Sequence, residues 1–139
     1  LEKNGVSIVR RSSLYETEPV DFEQQPLFMN AVVGVKTDLP ALELLYLCKE
    51  AEHRGERKRT FRFGPRTIDI DVLLYKGIVF RSAQLLIPHP RMHERRFVLV
   101  TLVEIAPGIS SPGEGTLYAD ILAGLDERKK VTKLKGKEY

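Results

Sequence analysis

Thr67-Ile-Asp-Ile-Asp-Val-Leu-Leu-Tyr75 is the most regular stretch of the chain. Apolar and polar residues alternate over its first six positions, the period of a strand with one buried face. Ile68, Ile70 and Val72 share one side and are expected in the core. Asp69 and Asp71 share the other, about 6.6 Å apart along the strand. Asp is disfavoured inside strands, so two of them on one face call for an explanation. At that spacing both carboxylates can hold hard cations that share ligands on one polyphosphate; a plain solvated strand face is the bland alternative.

Working outward, residues 54–66 precede this strand with six Lys/Arg in 13 positions and end in Gly64-Pro65. They read as a loop. Arg62 and Arg66 bracket Phe63, and guanidinium forks match phosphate oxygens. Nucleic acid, a nucleotide phosphate and solvent all suit such a cluster. The neighbouring aspartates would repel a nucleic-acid backbone, which disfavours that partner. Upstream, 6–17 and 28–37 are rich in β-branched and aromatic residues and read as strands joined by a loop with two prolines. Asp38 is a candidate cap, with Pro40 in the first turn, for a helix over 41–54. Leu42, Leu45, Cys48 and Glu52 lie along one face of it, widened by Leu44, Leu47 and Ala51. Downstream, Pro88-His89-Pro90 is a rigid corner. A helix is expected over 94–105, stopped by Pro107-Gly108, and a short one over 117–124 capped by Thr116. His89 and His93 are four apart, but the flanking prolines prevent a continuous helix from presenting both to a metal. Phe28, Phe63 and Phe97 suit the core, or in pairs could sandwich a flat heterocycle. Asn30, in mid-strand, needs polar partners.

The chain has 139 residues and one cysteine, with 22 Lys/Arg against 19 Asp/Glu. One α+β domain over 1–139 is expected, its last 14 residues (126–139) a basic tail carrying the net +3. No apolar run spans a bilayer and no secretory signal opens the chain, so a cytoplasmic location is expected. There is no Gly-x-x-x-x-Gly-Lys-Ser/Thr, so any ATP is bound without that loop.

Phe63-Gly-Pro-Arg-Thr-Ile-Asp-Ile-Asp-Val-Leu-Leu-Tyr75 resembles one signature of the 6-hydroxymethyl-7,8-dihydropterin pyrophosphokinases of folate synthesis. Ile87-Pro-His-Pro-Arg-Met-His-Glu-Arg-Arg-Phe-Val-Leu-Val100, followed by Glu104-Ile-Ala-Pro107, is similar to the second. Ser13–Val20 and Phe28–Val32 match the family's substrate-side strands. The resemblance implies a ferredoxin-like antiparallel sheet with helices packed on it, and pyrophosphoryl transfer from ATP to the pterin hydroxymethyl group with release of AMP. It implies two Mg2+ on Asp69 and Asp71, and Arg66 with Arg57 or Lys58 acting on the transferring phosphates. Glu52, Arg62, Val72, Leu86, His89 and Arg95 would contact ATP. Thr17, Pro19, Val20, Phe28, Asn30, Phe63 and Phe97 would form the pterin pocket. The partners expected are thus two small molecules, with no membrane. The departures are Phe63 where the family usually has Trp, Gln84 where some members have Arg, and an ambiguous match over 54–60. The family's opening strand and first helix also have no counterpart here. An internal slot between the strands at 28–37 and 67–75 is therefore expected, filled by residues ahead of Leu1, by the tail segment 130–134 or by another chain. The rival function is an RNA-associated ferredoxin-like module; an inactive remnant is a third possibility.

Overall fold

The computed structural model describes residues 5–17, 28–58, 69–125 and 131–138. The elements in chain order are β1 (Val6–Arg11), β2 (Ser13–Thr17), β3 (Phe28–Asn30), β4 (Val33–Thr37), α1 (Ala41–Lys58), β5 (Phe80–Arg81), β6 (Leu86–Ile87), α2 (Arg96–Ile105), α3 (Tyr118–Ala123) and β7 (Val131–Glu138). This is a mixed fold of antiparallel sheets and three helices, the α+β class expected.

The two upstream strands form one long antiparallel hairpin broken in the middle. β1 pairs with β4, and β2 pairs with β3, in separate sheets. The break is at Ser12, which is fully buried. Its N–H donates to the Val32 carbonyl at 2.9 Å, and its hydroxyl accepts the Val32 N–H at 2.9 Å. The side chain thus stands in for the carbonyl that a continuous ladder would use, and the hairpin bends without leaving a buried amide unpaired. Expecting unbroken strands over 6–17 and 28–37 missed this.

α1 starts at Ala41, and the Leu44 N–H reaches the Pro40 carbonyl at 3.0 Å. No side-chain cap from Asp38 is seen; Thr37 instead closes the turn ahead of the helix. Its hydroxyl accepts the Leu39 N–H at 3.1 Å and donates to the Gly5 carbonyl at 2.7 Å. The helix runs to Lys58, so the first part of the expected 54–66 loop is helical. No proline intervenes before Pro65, and a lone Gly55 costs only about 1 kcal/mol. Lys49–Glu52 at 3.6 Å and Glu50–Arg54 brace the solvent side.

Residues 69–74 were expected as the clearest strand, yet they join no ladder among the described residues. The pattern still places them in the centre of the molecule. Ile70, Val72 and Tyr75 pack with Ala41, Leu44, Leu45 and Cys48 of α1 and with Val6, Leu85 and Ile87. Leu73 and Leu74 pack on the opposite cluster of Met92, Val98, Leu99, Leu102 and Tyr118. The Leu73 carbonyl accepts the His89 N–H at 2.9 Å. Alternation reports which side chains are buried; a strand further requires a partner backbone, and none is found among the described residues.

The tail forms β7, which pairs antiparallel with β2 to give the order β3-β2-β7. Its described residues therefore do not fill the slot expected between 28–37 and 67–75, one of the places open to 130–134. α2 and its stop at Pro107 match expectation, with a 3-10 turn at Met92–Glu94 ahead of it. α3 is preceded by Leu117 without a side-chain cap; Thr116 instead accepts the Ser111 N–H through its carbonyl at 2.7 Å. No helix among the described residues is long and apolar enough to cross a membrane.

Candidate active site

Asp69 and Asp71 are both exposed, while Val72 is 8 % exposed and Ile70 half-buried in the α1 core. The two carboxylates thus emerge on the side away from that core, as alternation requires. Between them, the Ile70 N–H donates to Glu52 Oε2 at 2.6 Å. Glu52, expected as a nucleotide contact, is therefore engaged with the backbone that presents the aspartates. It also lies 3.6 Å from Lys49 Nζ.

Beside Asp71 opens a cleft of about 280 Å³, near the lower end of small-ligand clefts. Its walls bring together Asp71 and Val72, Leu45 and Lys49 of α1, the 82–86 turn with Gln84 and Leu86, and His89-Pro90. Val72 and Leu86 supply apolar surface; Lys49, Asp71, Gln84 and His89 supply polar groups. Ser82 shapes the turn: its hydroxyl accepts the Leu85 N–H at 3.0 Å, and its own N–H reaches the Leu85 carbonyl at 2.9 Å. Lys49 was not expected at the cleft. The available signal was its position three residues before Glu52 on α1, which alternation and charge alone do not single out.

His89 Nδ1 accepts the Arg91 N–H at 3.2 Å. A neutral ring with that acceptor carries its proton on Nε2 and has one N–H left to donate. Burial lowers the imidazole pKa; Asp71 pulls it up, and Arg95 and Arg91 push it down, with a net fall. The ring is therefore a neutral donor near pH 7. Its neighbour in the pattern, His93, packs instead against Tyr118 with ring centroids 5.6 Å apart. The two histidines thus have different surroundings, His89 at the cleft and His93 against Tyr118.

Arg95 holds its guanidinium 5.9 Å from the centre of the Phe97 ring, a cation–π distance. Phe97 packs at the edge of the α2 core. Asn30 is half-buried on β3, opposite Tyr15. Thr17 and Phe28 face each other across the β2–β3 ladder, and Arg57 and Lys58 occupy the last turn of α1; these four are described as backbone. Pro19, Val20, Arg62, Phe63 and Arg66 lie outside the described residues. The structure thus gathers Asp71, Val72, Leu86 and His89 at one cleft, with Asp69 two residues away. Asn30, Thr17 and Phe28 are grouped on the β2–β3 ribbon.

A second polar cluster had no sequence warning. The Glu104 carboxylate, in the last turn of α2, accepts the Ser13 N–H at 2.6 Å, the Ser13 hydroxyl at 2.8 Å and the Tyr15 hydroxyl at 3.2 Å. Lys133 Nζ of β7 stands 3.2 Å away. Burial pushes this carboxyl up, but the bonds from Ser13, Lys133 and Tyr15 outweigh it and hold it below the ordinary glutamate value. Burial and the same carboxylate raise the Tyr15 phenol.

Among the described residues no group of three or more His, Cys, Asp or Glu could cage a metal ion. Two exposed carboxylates beside an open cleft nevertheless fit magnesium. That ion is held by one or two carboxylates and takes its remaining ligands from water and phosphate.

The fold is thus α+β with a polar-rimmed cleft beside the aspartates, and the sequence has no Gly-x-x-x-x-Gly-Lys-Ser/Thr loop. Comparison gives the particular family: residues 1–107 match 7,8-dihydro-6-hydroxymethylpterin-pyrophosphokinase (HPPK), and the chain belongs to that family. It is 47% identical over 130 residues to the 2-amino-4-hydroxy-6-hydroxymethyldihydropteridine pyrophosphokinase of Bacillus subtilis, covering 88% of this chain and 78% of that protein. The enzyme of the same name from Methylorubrum extorquens is 43% identical over 122 residues, 88% of this chain and 76% of that one. The mitochondrial folate synthesis bifunctional protein of Arabidopsis thaliana is 43% identical over 105 residues, 76% of this chain but only 19% of that protein.

Proposed function

We propose that the chain transfers the pyrophosphoryl group of ATP to the hydroxymethyl group of 6-hydroxymethyl-7,8-dihydropterin. The hydroxymethyl oxygen bonds to the β-phosphorus, the bond from that phosphorus to the α–β bridging oxygen breaks, AMP leaves and the hydroxyl proton is released. The observation that carries the reading is the cleft. It unites Asp71 and Val72 of one motif with His89 of the other and Leu86 beside it, at separations in sequence that only folding closes.

Asp69 and Asp71 would hold two magnesium ions. Bound there, magnesium offsets the negative charge of the β- and γ-phosphates. Glu52 fixes the backbone between the two carboxylates. Val72 and Leu86 offer apolar surface to the adenine, and His89 offers one N–H to a phosphate or the nucleotide. Arg95 sits close enough to affect His89 and adds positive charge. Arg66, Arg62 and the Arg57/Lys58 pair are assigned to the transferring phosphates on their matched positions in the family motif. Guanidiniums suit that role because charge spreads over the equatorial oxygens in the transition state. The pterin is assigned to the β2–β3 ribbon through Thr17, Phe28 and Asn30, with Pro19, Val20, Phe63 and Phe97. The asparagine amide matches its donor–acceptor edge, and the aromatic faces can stack on it.

The sheet itself supports a finer reading. β4 has a ladder partner on one side only, and the backbone of Val72 and Leu74 has no partner among the described residues. We infer that a further strand belongs between β4 and residues 69–74, giving the ferredoxin-like order.

The test of the activity is direct. Incubated with ATP, magnesium and 6-hydroxymethyl-7,8-dihydropterin, the chain should release AMP in step with the diphosphorylated pterin, and EDTA should stop it. No AMP above the level without pterin would sink the proposal. Magnesium-independent, salt-sensitive RNA binding in its place would favour the RNA-module reading.

A further inference from the structure

Among the described residues, β3 pairs with β2 through Phe28–Asn30, in three residue pairs: Tyr15 with Asn30, Glu16 with Met29 and Thr17 with Phe28. A two-stranded ribbon of that length does not hold its own shape in water. β7 pairs with the same three residues of β2 from the other side: Tyr15 with Lys133, Glu16 with Thr132 and Thr17 with Val131. Every residue of β2 that carries a β3 partner therefore also carries a β7 partner. At the Tyr15 end of this triplet, Lys133 meets the Glu104 carboxylate that already grips Ser13 and Tyr15. Glu104 belongs to the helix that bears Phe97, and the residues between them are tied by the Thr101 hydroxyl donating to the Phe97 carbonyl at 2.9 Å. β7 lies beyond residues 1–107, where the family match ends.

We propose that β7, through Lys133 on Glu104, is the positioning element that sets the pterin-side ribbon against α2, so that the tail of this chain governs pterin binding without touching the pterin. The inference rests on the assignment of the pterin to Thr17, Phe28 and Asn30. Nucleotide binding is independent of it, because the cleft at Asp71 and His89 is built by α1, residues 69–74 and the 82–90 segment.

The experiment measures two dissociation constants by equilibrium methods: 6-hydroxymethyl-7,8-dihydropterin in the presence of a non-hydrolysable magnesium–ATP analogue, and the analogue alone. Lys133→Ala should weaken the pterin up to about fivefold, the range of a partly exposed ion pair. Lys133→Arg should restore it. A chain ended at Leu125 should weaken it more than about tenfold, as displaced binding groups do. In all three the analogue should bind within about twofold of the parent, which a general loss of structure would not allow. A weaker pterin constant in either folded variant with the nucleotide constant unchanged supports the inference. Unchanged pterin constants in both, or equal losses for both ligands, overturn it. If the shortened chain loses its helical circular dichroism, Lys133→Ala alone decides. Asn30→Ala separates the two layers of the argument. Unaltered pterin binding in that variant overturns the pterin-site assignment itself. Weakened binding there, with none from Lys133→Ala or the shortened chain, overturns only the role of β7.

Discussion

Asp69 and Asp71 are the residues whose chemistry was plainest in the sequence, because an alternating strand leaves few options for two carboxylates on its outer face. Both are exposed. Replacing either with alanine should therefore leave the fold intact while lowering turnover by about two to three orders of magnitude, the scale of losing a main electrostatic group of a transition state. Steady-state kinetics beside a urea titration checks both halves. Activity within tenfold of the parent in both variants would count decisively against the metal assignment. Glu52 shows where residue-level reading runs short. Its place on the helical face was legible, but a carboxylate on that face can meet a ligand or a backbone amide. Only the fold shows that it meets the Ile70 N–H. Lys49 was missed for the same reason: a lysine on an amphipathic helix ordinarily lies in solvent.

At the scale of elements, periodicity found the helices, and what it missed were the places where a side chain replaces backbone. Ser12 breaks the hairpin by accepting an amide, Thr37 closes the turn before α1 by accepting another, and Glu104 binds two strands to a helix. Each is a polar or charged residue in an otherwise regular run, and nothing in the local pattern tells such a residue from a solvated one. The Glu104 cluster has a measurable pH signature. Its carboxyl titrates below the ordinary glutamate value in the folded state, so the ionised form is favoured by folding. That contribution is fully present above the unfolded pKa and fades as pH falls through the folded one. The stability of the parent should accordingly drop more steeply than that of Glu104→Gln as pH falls from the ordinary glutamate value downward. The difference between the two urea midpoints should shrink over that window. Midpoints that run parallel with pH would show that the Ser13, Tyr15 and Lys133 contacts do not favour the ionised form.

For the molecule as a whole, the decisive segment is the one that joins the two cores. Residues 69–75 have α1 on one side and the α2–α3 cluster on the other, and the aspartates emerge from their start. Their hydrophobic pattern was legible in the sequence, but the absence of a ladder among the described residues was not, because pairing depends on a partner far away in the chain or outside it. Buried backbone amides without partners cost free energy comparable to a lost hydrogen bond. Val72 is 8 % exposed, and its backbone has no pairing among the described residues. A strand placed beside it would satisfy those groups and would also stiffen the mount of both carboxylates. Hydrogen–deuterium exchange reads this directly. In the 139-residue chain the amides of Val72 and Leu74 should exchange far faster than those of Leu99 and Leu102 in α2. In a chain lengthened ahead of Leu1 by enough residues for one strand, they should slow by at least about a hundredfold, as amides do when they join a core ladder. The same lengthening should raise the urea midpoint, since a newly paired internal strand adds hydrogen bonds and removes two open edges. Amides of Val72 and Leu74 already as protected as those of α2 in the shorter chain would mean that the backbone there is paired in some other way. The further strand, and the ferredoxin-like order inferred from it, would then have to be given up.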